Sequence, residues 1–409
     1  ANRISPMQTF LTSARDWAGA LDATDARRRL IDVVETQGLP TTSDEVWRYA
    51  PLRDLDLNAF GAPSPAPHAP SFVENLAAQA DIVIRVENGR VLEVVGDVTG
   101  VTVTAGRHDS YFSASKYDDD AFALLNDALN VHSVLVTVDP GVAAGTVLID
   151  QRLGSGASFP RSQVRVERGA SVAVVEVWSG GAQALVVPVS EFHVGEDARL
   201  THVAYQRLDS SAWHIARTTA RIERTGRMHQ SVLSLGGHYD RARNDAELVG
   251  AGAENQLWTT FLGRGEQIHD LRSHQMHHVG RTQSQLLSKG AAADTSRSVY
   301  TGLIEIERGA KRTDARQTNH NLLLSAHAHA DSVPNLDIRE NDVACAHASS
   351  VGPLDQLQRW YLESRGVSRI DAERLMIEGF FKEMLDVLPS QIGRVFESDI
   401  ALLVGEVVS

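Results

Sequence analysis

Cys345 is the only cysteine among 409 residues, and it stands two positions before a histidine in Asp342-Val343-Ala344-Cys345-Ala346-His347. On a β-strand alternate side chains leave the same face, which sets the two α-carbons about 7 Å apart. A thiolate and an imidazole at that separation can share a soft metal ion, or they can form an activated nucleophile. A lone cysteine can equally be a small buried hydrophobe. Histidine is the second concentration of chemistry. His269, His274, His277 and His278 cluster, and His320, His327 and His329 precede the Cys-x-His segment. His327 and His329 would share one face of a strand, whereas His277 and His278 would point apart. The first group therefore does not converge, and surface turns are its simpler setting. No Cys-x-x-Cys pair is present to close a structural zinc site.

The motifs that are missing narrow the chemistry further. There is no Gly-x-x-x-x-Gly-Lys-Ser/Thr to cradle nucleotide phosphates, and no Gly-x-Ser-x-Gly nucleophile elbow. One cysteine cannot supply the four thiolates that usually hold an iron–sulfur cluster. Any cluster here must be completed by another chain, by histidine or by small thiols, which argues for a partnered function. The net charge of −13 and a pI near 5.6 argue against binding nucleic acid or an anionic membrane non-specifically. A single cysteine forms no internal disulfide. No run reaches the roughly 18 apolar residues of a membrane helix. Residues 1–30 lack an apolar signal core, so the cytoplasm is the expected compartment.

Three kinds of element must position these residues. Residues 1–60 read as a helical domain, with Phe10, Leu11, Trp17, Leu21, Leu30, Ile31 and Val34 at helix-like spacing. A proline-rich run from Gly61 to Pro70 then predicts an extended linker over 61–80. Residues 81–351 read as a β-rich core of short runs such as Val134–Val138, Val172–Val177 and Ser298–Ile306. Turn glycines recur at 169, 195, 226, 252, 280 and 309, at intervals of 26, 31, 26, 28 and 29 residues. That recurrence suggests a β-solenoid, although turn glycines alone do not exclude a β-sandwich. Val166-Glu167-Arg168-Gly169-Ala170 and Ile306-Glu307-Arg308-Gly309-Ala310 repeat one strand-to-turn pattern. Residues 352–409 read as a C-terminal helical domain, with Gly366 as a stop, Ser368 as a cap and Pro389 as a second stop. Its stripe of Ile377, Phe380, Phe381, Met384 and Leu385 either packs on the N-terminal helices or docks a partner.

Several of these segments together carry a family resemblance. They are Thr313-Asp314-Ala315-Arg316-Gln317-Thr318-Asn319-His320-Asn321, Pro334-Asn335-Leu336-Asp337-Ile338, the Cys345/His347 segment, Val351-Gly352-Pro353-Leu354-Asp355 and Tyr361-Leu362-Glu363-Ser364-Arg365-Gly366. In order and spacing they resemble the SufB/SufD family of iron–sulfur cluster assembly proteins. Leu39-Pro40-Thr41-Thr42-Ser43-Asp44-Glu45-Val46-Trp47-Arg48-Tyr49-Ala50-Pro51-Leu52 resembles the family's N-terminal segment. In the SufB branch a cysteine stands at the position of Asn319, and an acidic residue follows the counterpart of His347. This chain has Asn319 and Ala348 and so is closer to the SufD branch. Ala348-Ser349-Ser350 is a small departure from that branch's usual Gly-Ala-Thr.

The resemblance implies a right-handed parallel β-helix flanked by helices, acting as a non-catalytic scaffold beside a SufB-like paralogue. It implies that a SufC-like ABC ATPase docks on the C-terminal helices, with Phe380, Phe381, Met384 and Leu385 as the contact. Asn319 and His347 would face SufB, and Cys345 and His347 would contribute to a nascent cluster site shared with it. Iron or a transient cluster would belong to the complex, as would a flavin, for which no residue is assignable here. The isolated chain could pair with itself through the same face. The competing reading is a β-helix carbohydrate-active enzyme, for which Asp240 with Arg241 and Arg243 are the candidate acid and cations.

Overall fold

The computed structural model describes residues 7–106 and 120–408. Its core is a parallel β-solenoid in which successive strands alternate between two sheets. Among the described residues ten strands form the first sheet and eleven the second, and from Arg199 onward consecutive strands fall in alternate sheets. In the second sheet Trp213 lies beside Tyr239, Tyr239 beside Ile268, and Ile268 beside Arg297, so each coil consumes 26 to 29 residues there. This matches the glycine recurrence, because each coil needs a tight turn between sheets. Gly169, Gly252 and Gly309 take that turn at positive φ. At the turns marked by Gly195, Gly226 and Gly280 the positive φ falls instead on the neighbours Asp197, Thr225 and Arg281. A sandwich would need antiparallel hairpins, but among the described residues antiparallel pairing is confined to the β1–β2 pair (Ile82–Glu87 with Arg90–Val95) and the β3–β4 pair (Val101–Gly106 with Ser133–Val138).

Inside the early coils the two sheets close on Val136, Ile149, Val164, Val174, Phe192 and Val194, all buried. β-branched residues suit this half-pleated, fully covered setting. The same strands also carry polar residues into the interior beside these. Glu176, Ser190 and His202 are buried together, with Glu176 accepting from Ser190 Oγ and lying 3.0 Å from His202 Nε2.

Among the described residues seven α-helices decorate this core: α1 (Gln8–Gly19), α2 (Thr24–Gln37), α3 (Ser71–Ala77), α4 (Ala121–Leu129), α5 (Gln356–Ser364), α6 (Arg369–Asp386) and α7 (Ser390–Val408). Two of them differ from the sequence expectation. Helix α3 interrupts the expected linker, since Val73 and Leu76 find an apolar surface against the first sheet. Helix α4 lies within the β-rich region and joins α1 and α2 in one core with Phe10, Leu11, Ile31, Val34 and Phe122. Buried Arg27 of α2 donates to the carbonyls of Ala128 and Asn130, satisfying the C-terminal end of α4.

The C-terminal helices pack on the first sheet rather than on the N-terminal helices. Ile377, Phe381, Leu385, Phe396 and Ile400 meet Val175, Val177, Val203, Tyr205 and Leu233. Tyr205 stacks on Phe396 with centroids 4.0 Å apart, and its hydroxyl donates to Asp399, which Arg207 also reaches at 3.2 Å. Ser368 caps α6 by accepting from Asp371 N at 3.1 Å, as its spacing predicts.

Candidate functional site at the open end of the solenoid

Cys345 and His347 lie on the last strand of the first sheet, Ala344–Pro353. That strand pairs on one side only, with Asp314–Leu323. The last strand of the second sheet, His329–Ile338, likewise pairs on one side, with Arg297–Ile306. Among the described residues both sheets therefore end at the same coil with an unpaired backbone edge.

Register fixes which side chains face inward. On Asp314–Leu323 the buried positions are Ala315, Gln317, Asn319 and Asn321. They align with Cys345, His347, Ser349 and Val351. Cys345 and His347 thus share a face, as strand periodicity predicts, and that face is the interior of the solenoid at its open end. His347 is exposed only because no further coil covers it. On the opposite sheet Leu336 and Ile338 align with buried Ile304 and Ile306. These two are core positions as well, yet they are about two-fifths exposed, as is Val351.

Cys345 is half-buried, and burial followed by the nearby Asp314 carboxylate pushes its thiol above the usual value. It is protonated near neutral pH, which removes the activated-nucleophile reading in the free chain. Asn319 does not join the pair. It is buried one coil below the edge, aligned with Ser349, and its amide donates to Ser332 Oγ at 2.9 Å. Its side chain therefore lies beneath Ser349 rather than at the open edge.

The other histidines separate. His269 and His277 are fully buried inside the solenoid rather than on turns, because their strand positions alternate inward. His269 lies 2.7 Å from Ser234 Oγ, and His277 lies between Thr282 and Ser284. His274 faces out to Glu305 and His278 meets Glu307. His327 precedes the strand that begins at His329, so the two do not share a face. His320 bonds Ser350 on the outer side. Among the described residues no group of three or more His, Cys, Asp or Glu is arranged to hold a metal ion.

Asp240 and Arg241 do not form a catalytic groove. Asp240 points inward to His214 at 2.6 Å, whereas Arg241 points outward to Asp270. Adjacent strand residues take opposite faces, so the sequence neighbours are separated by the sheet.

On the C-terminal helices Phe381, Met384 and Leu385 are buried, and Phe380 is partly covered and packed against the same cluster. In the folded chain Phe381, Met384 and Leu385 are thus covered rather than presented to solvent. On these helices the apolar residues more than half exposed are Leu357, Trp360 and Tyr361 on α5, Ile370 and Leu375 on α6, and Leu402 on α7. Helical spacing locates such a stripe but does not say which side the solenoid covers, and α5 has no buried residue at all.

Comparison with known proteins agrees with this architecture. Residues 148–380 match the SufBD core domain of the SUF system for FeS cluster assembly. The iron–sulfur cluster assembly protein SufD of Escherichia coli is 26% identical over 383 residues, covering 90% of both chains. An iron–sulfur cluster assembly SufBD family protein of Mycobacterium tuberculosis is 30% identical over 361 residues, covering 86% of both. SufD of Bacillus subtilis is 32% identical over 202 residues, covering 49% of this chain and 46% of that one. The solenoid, the helices at both ends and these similarities place the chain in the SufBD family, as a SufD-like member.

Proposed function

We propose that the chain is a non-catalytic scaffold subunit in iron–sulfur cluster assembly. It pairs through its open solenoid end with a SufB-like paralogue and carries a SufC-like ABC ATPase on α5 and α6. One observation carries the reading: the last coil has core side chains with nothing above them. Leu336, Ile338 and Val351 occupy interior positions yet stay exposed. Two strand edges beside them present unpaired N–H and C=O groups. Exposed edges of this kind invite another chain. A partner ending in the same two-sheet coil would extend both ladders and cover the apolar residues together.

Such pairing would bury His347 and Cys345 at the junction. The imidazole nitrogens of His347 are of the type that ligates iron, while the raised thiol makes Cys345 the weaker contributor. Two side chains are too few for a cluster, so iron or a nascent cluster is cargo completed by the partner's ligands. Leu357, Trp360, Tyr361, Ile370 and Leu375 supply aromatic and aliphatic anchors of the type that dominate interfaces.

The deciding experiment is co-expression with SufB and SufC homologues. A stable three-component assembly that binds iron and acid-labile sulfide is expected, with the isolated chain binding neither stably. Failure of the chain to join that assembly would refute the reading.

A further inference from the structure

Helix α7 packs Phe396 and Ile400 on the first sheet and turns another face towards α3. Between the two helices lies an open cavity of about 460 Å³, within the size range of small-molecule sites. Phe72 and Asn75 of α3 line it on one side, and Arg394, Val395 and Leu402 of α7 on the other. Its floor is Asp399, 9% exposed and the one buried residue of the lining.

The charges in this cavity are half-matched. Of the residues that line it one is acidic, Asp399, and one is basic, Arg394. Asp399 Oδ2 accepts from Tyr205 OH and from Arg207 Nε, the latter at 3.2 Å. Among the described residues nothing donates to Oδ1. That oxygen is nevertheless not sealed by its neighbours, so a molecule in the cavity can reach it. Arg394 is exposed and makes no ion pair among the described residues. The two residues arise five positions apart on α7, about 7.5 Å along the helix axis. The long arginine side chain and a small ligand together span that gap.

These groups select the ligand by charge. A simple anion would meet Arg394 but also face the Asp399 carboxylate. A simple cation would meet Oδ1 but leave Arg394 unmatched, and Arg207 already answers part of the Asp399 charge. A molecule that carries both charges satisfies both groups. We infer that this cavity binds a free α-amino acid with an apolar side chain. Its ammonium donates to Asp399 Oδ1, its carboxylate accepts from Arg394, and its side chain lies against Phe72, Val395 and Leu402. Both polar contacts are charge-assisted, which is the strong class of hydrogen bond. The site uses none of the residues at the open end of the solenoid, and its test needs no partner protein.

L-leucine, leucinamide and N-acetyl-leucine are titrated into the full chain by calorimetry at low salt, with thermal unfolding in parallel. Saturable one-to-one binding of leucine is expected with Kd below about 1 mM. N-acetyl-leucine lacks the ammonium and leucinamide lacks the carboxylate, so each should bind at least about tenfold more weakly. Arg394→Gln and Asp399→Asn should each weaken leucine binding by about the same factor. Asn75→Trp, at an exposed position, should fill the cavity and block binding even if Asp399→Asn fails to fold. Absence of saturable leucine binding to the unmodified chain would overturn the site. So would equal binding of either analogue, or unchanged binding in a folded Asn75→Trp variant.

Discussion

His347 lies directly above Gln317 in the parallel register of the last two strands of the first sheet. Gln317 is buried, and neither its Oε1 nor its Nε2 has a hydrogen-bond partner among the described residues. The imidazole is therefore the next member of an interior column, not a surface histidine that happens to sit near a cysteine. A chain stacking onto this end would seal His347 into the same column.

The first prediction follows from that position. His347→Ala should abolish iron and acid-labile sulfide in the co-expressed complex while leaving assembly intact, because one side chain does not hold two sheet edges together. Cys345→Ser should be milder, since its thiol is protonated near neutral pH and sits half-buried at the column's margin. Cluster loss in Cys345→Ser alone would reverse the two roles.

Pairing itself is tested at the apolar core positions of the last coil. Leu336→Asp with Ile338→Asp places two carboxylates where a further coil should pack. Inward-pointing charges on an edge are an effective block to strand addition. The double variant should stay folded, because both side chains are already partly exposed, and it should elute without the SufB-like partner in size-exclusion chromatography. Co-elution at wild-type yield would show that the partner uses another face.

Much of this arrangement is legible from residue order, and the remainder is not, for physical reasons. Coil length shows in the glycine recurrence, because a tight turn between sheets needs one residue at positive φ. The residue that supplies it is not fixed, as Asp197, Thr225 and Arg281 demonstrate. The shared face of Cys345 and His347 follows from period-two alternation alone. Which face that is, interior or exterior, depends on register with Gln317 and is invisible without the neighbouring strand. Phe381 and Trp360 fail the same way from the other direction. Both lie on amphipathic helices, but only tertiary packing shows that Phe381 meets the solenoid while Trp360 meets solvent. The buried histidines His269 and His277 were hidden because polar side chains are unusual inside a core unless hydrogen-bonded, and their serine and threonine partners are distant in pattern.

The C-terminal helices give a prediction that separates folding from docking. Phe381→Ala leaves a cavity against the first sheet and should cost about 3–5 kcal/mol of stability. Trp360→Ala with Tyr361→Ala removes exposed side chains and should shift stability by less than about 1 kcal/mol. Only the exposed pair should reduce capture of the SufC-like ATPase at unchanged fold, by about 2 kcal/mol or more if both are anchors. Pull-down of the ATPase with both variants, alongside urea unfolding, distinguishes the effects. Full capture by the exposed double variant would move the docking face elsewhere.

Acid sensitivity is the last prediction. His269 and His277 are held near pKa 4 by burial. In the unfolded chain both titrate near 6.5. The unfolded state therefore binds more protons between these values, and stability must rise with pH across that window. The contribution is fully present above pH 6.5 and is lost progressively as pH falls towards 4, by up to about 3 kcal/mol for each histidine. Asp150 works in the opposite direction, since burial raises its carboxyl to about 6 and favours the folded state on acidification. One carboxyl set against two histidines leaves a net loss. Thermal unfolding midpoints should fall steadily between pH 6.5 and 4.5. His277→Gln can keep a hydrogen bond to Thr282 or Ser284 without a titrating group, so it should flatten that slope measurably. A midpoint independent of pH in the unmodified chain, or a slope unchanged in His277→Gln, would show that these buried imidazoles do not control its acid stability.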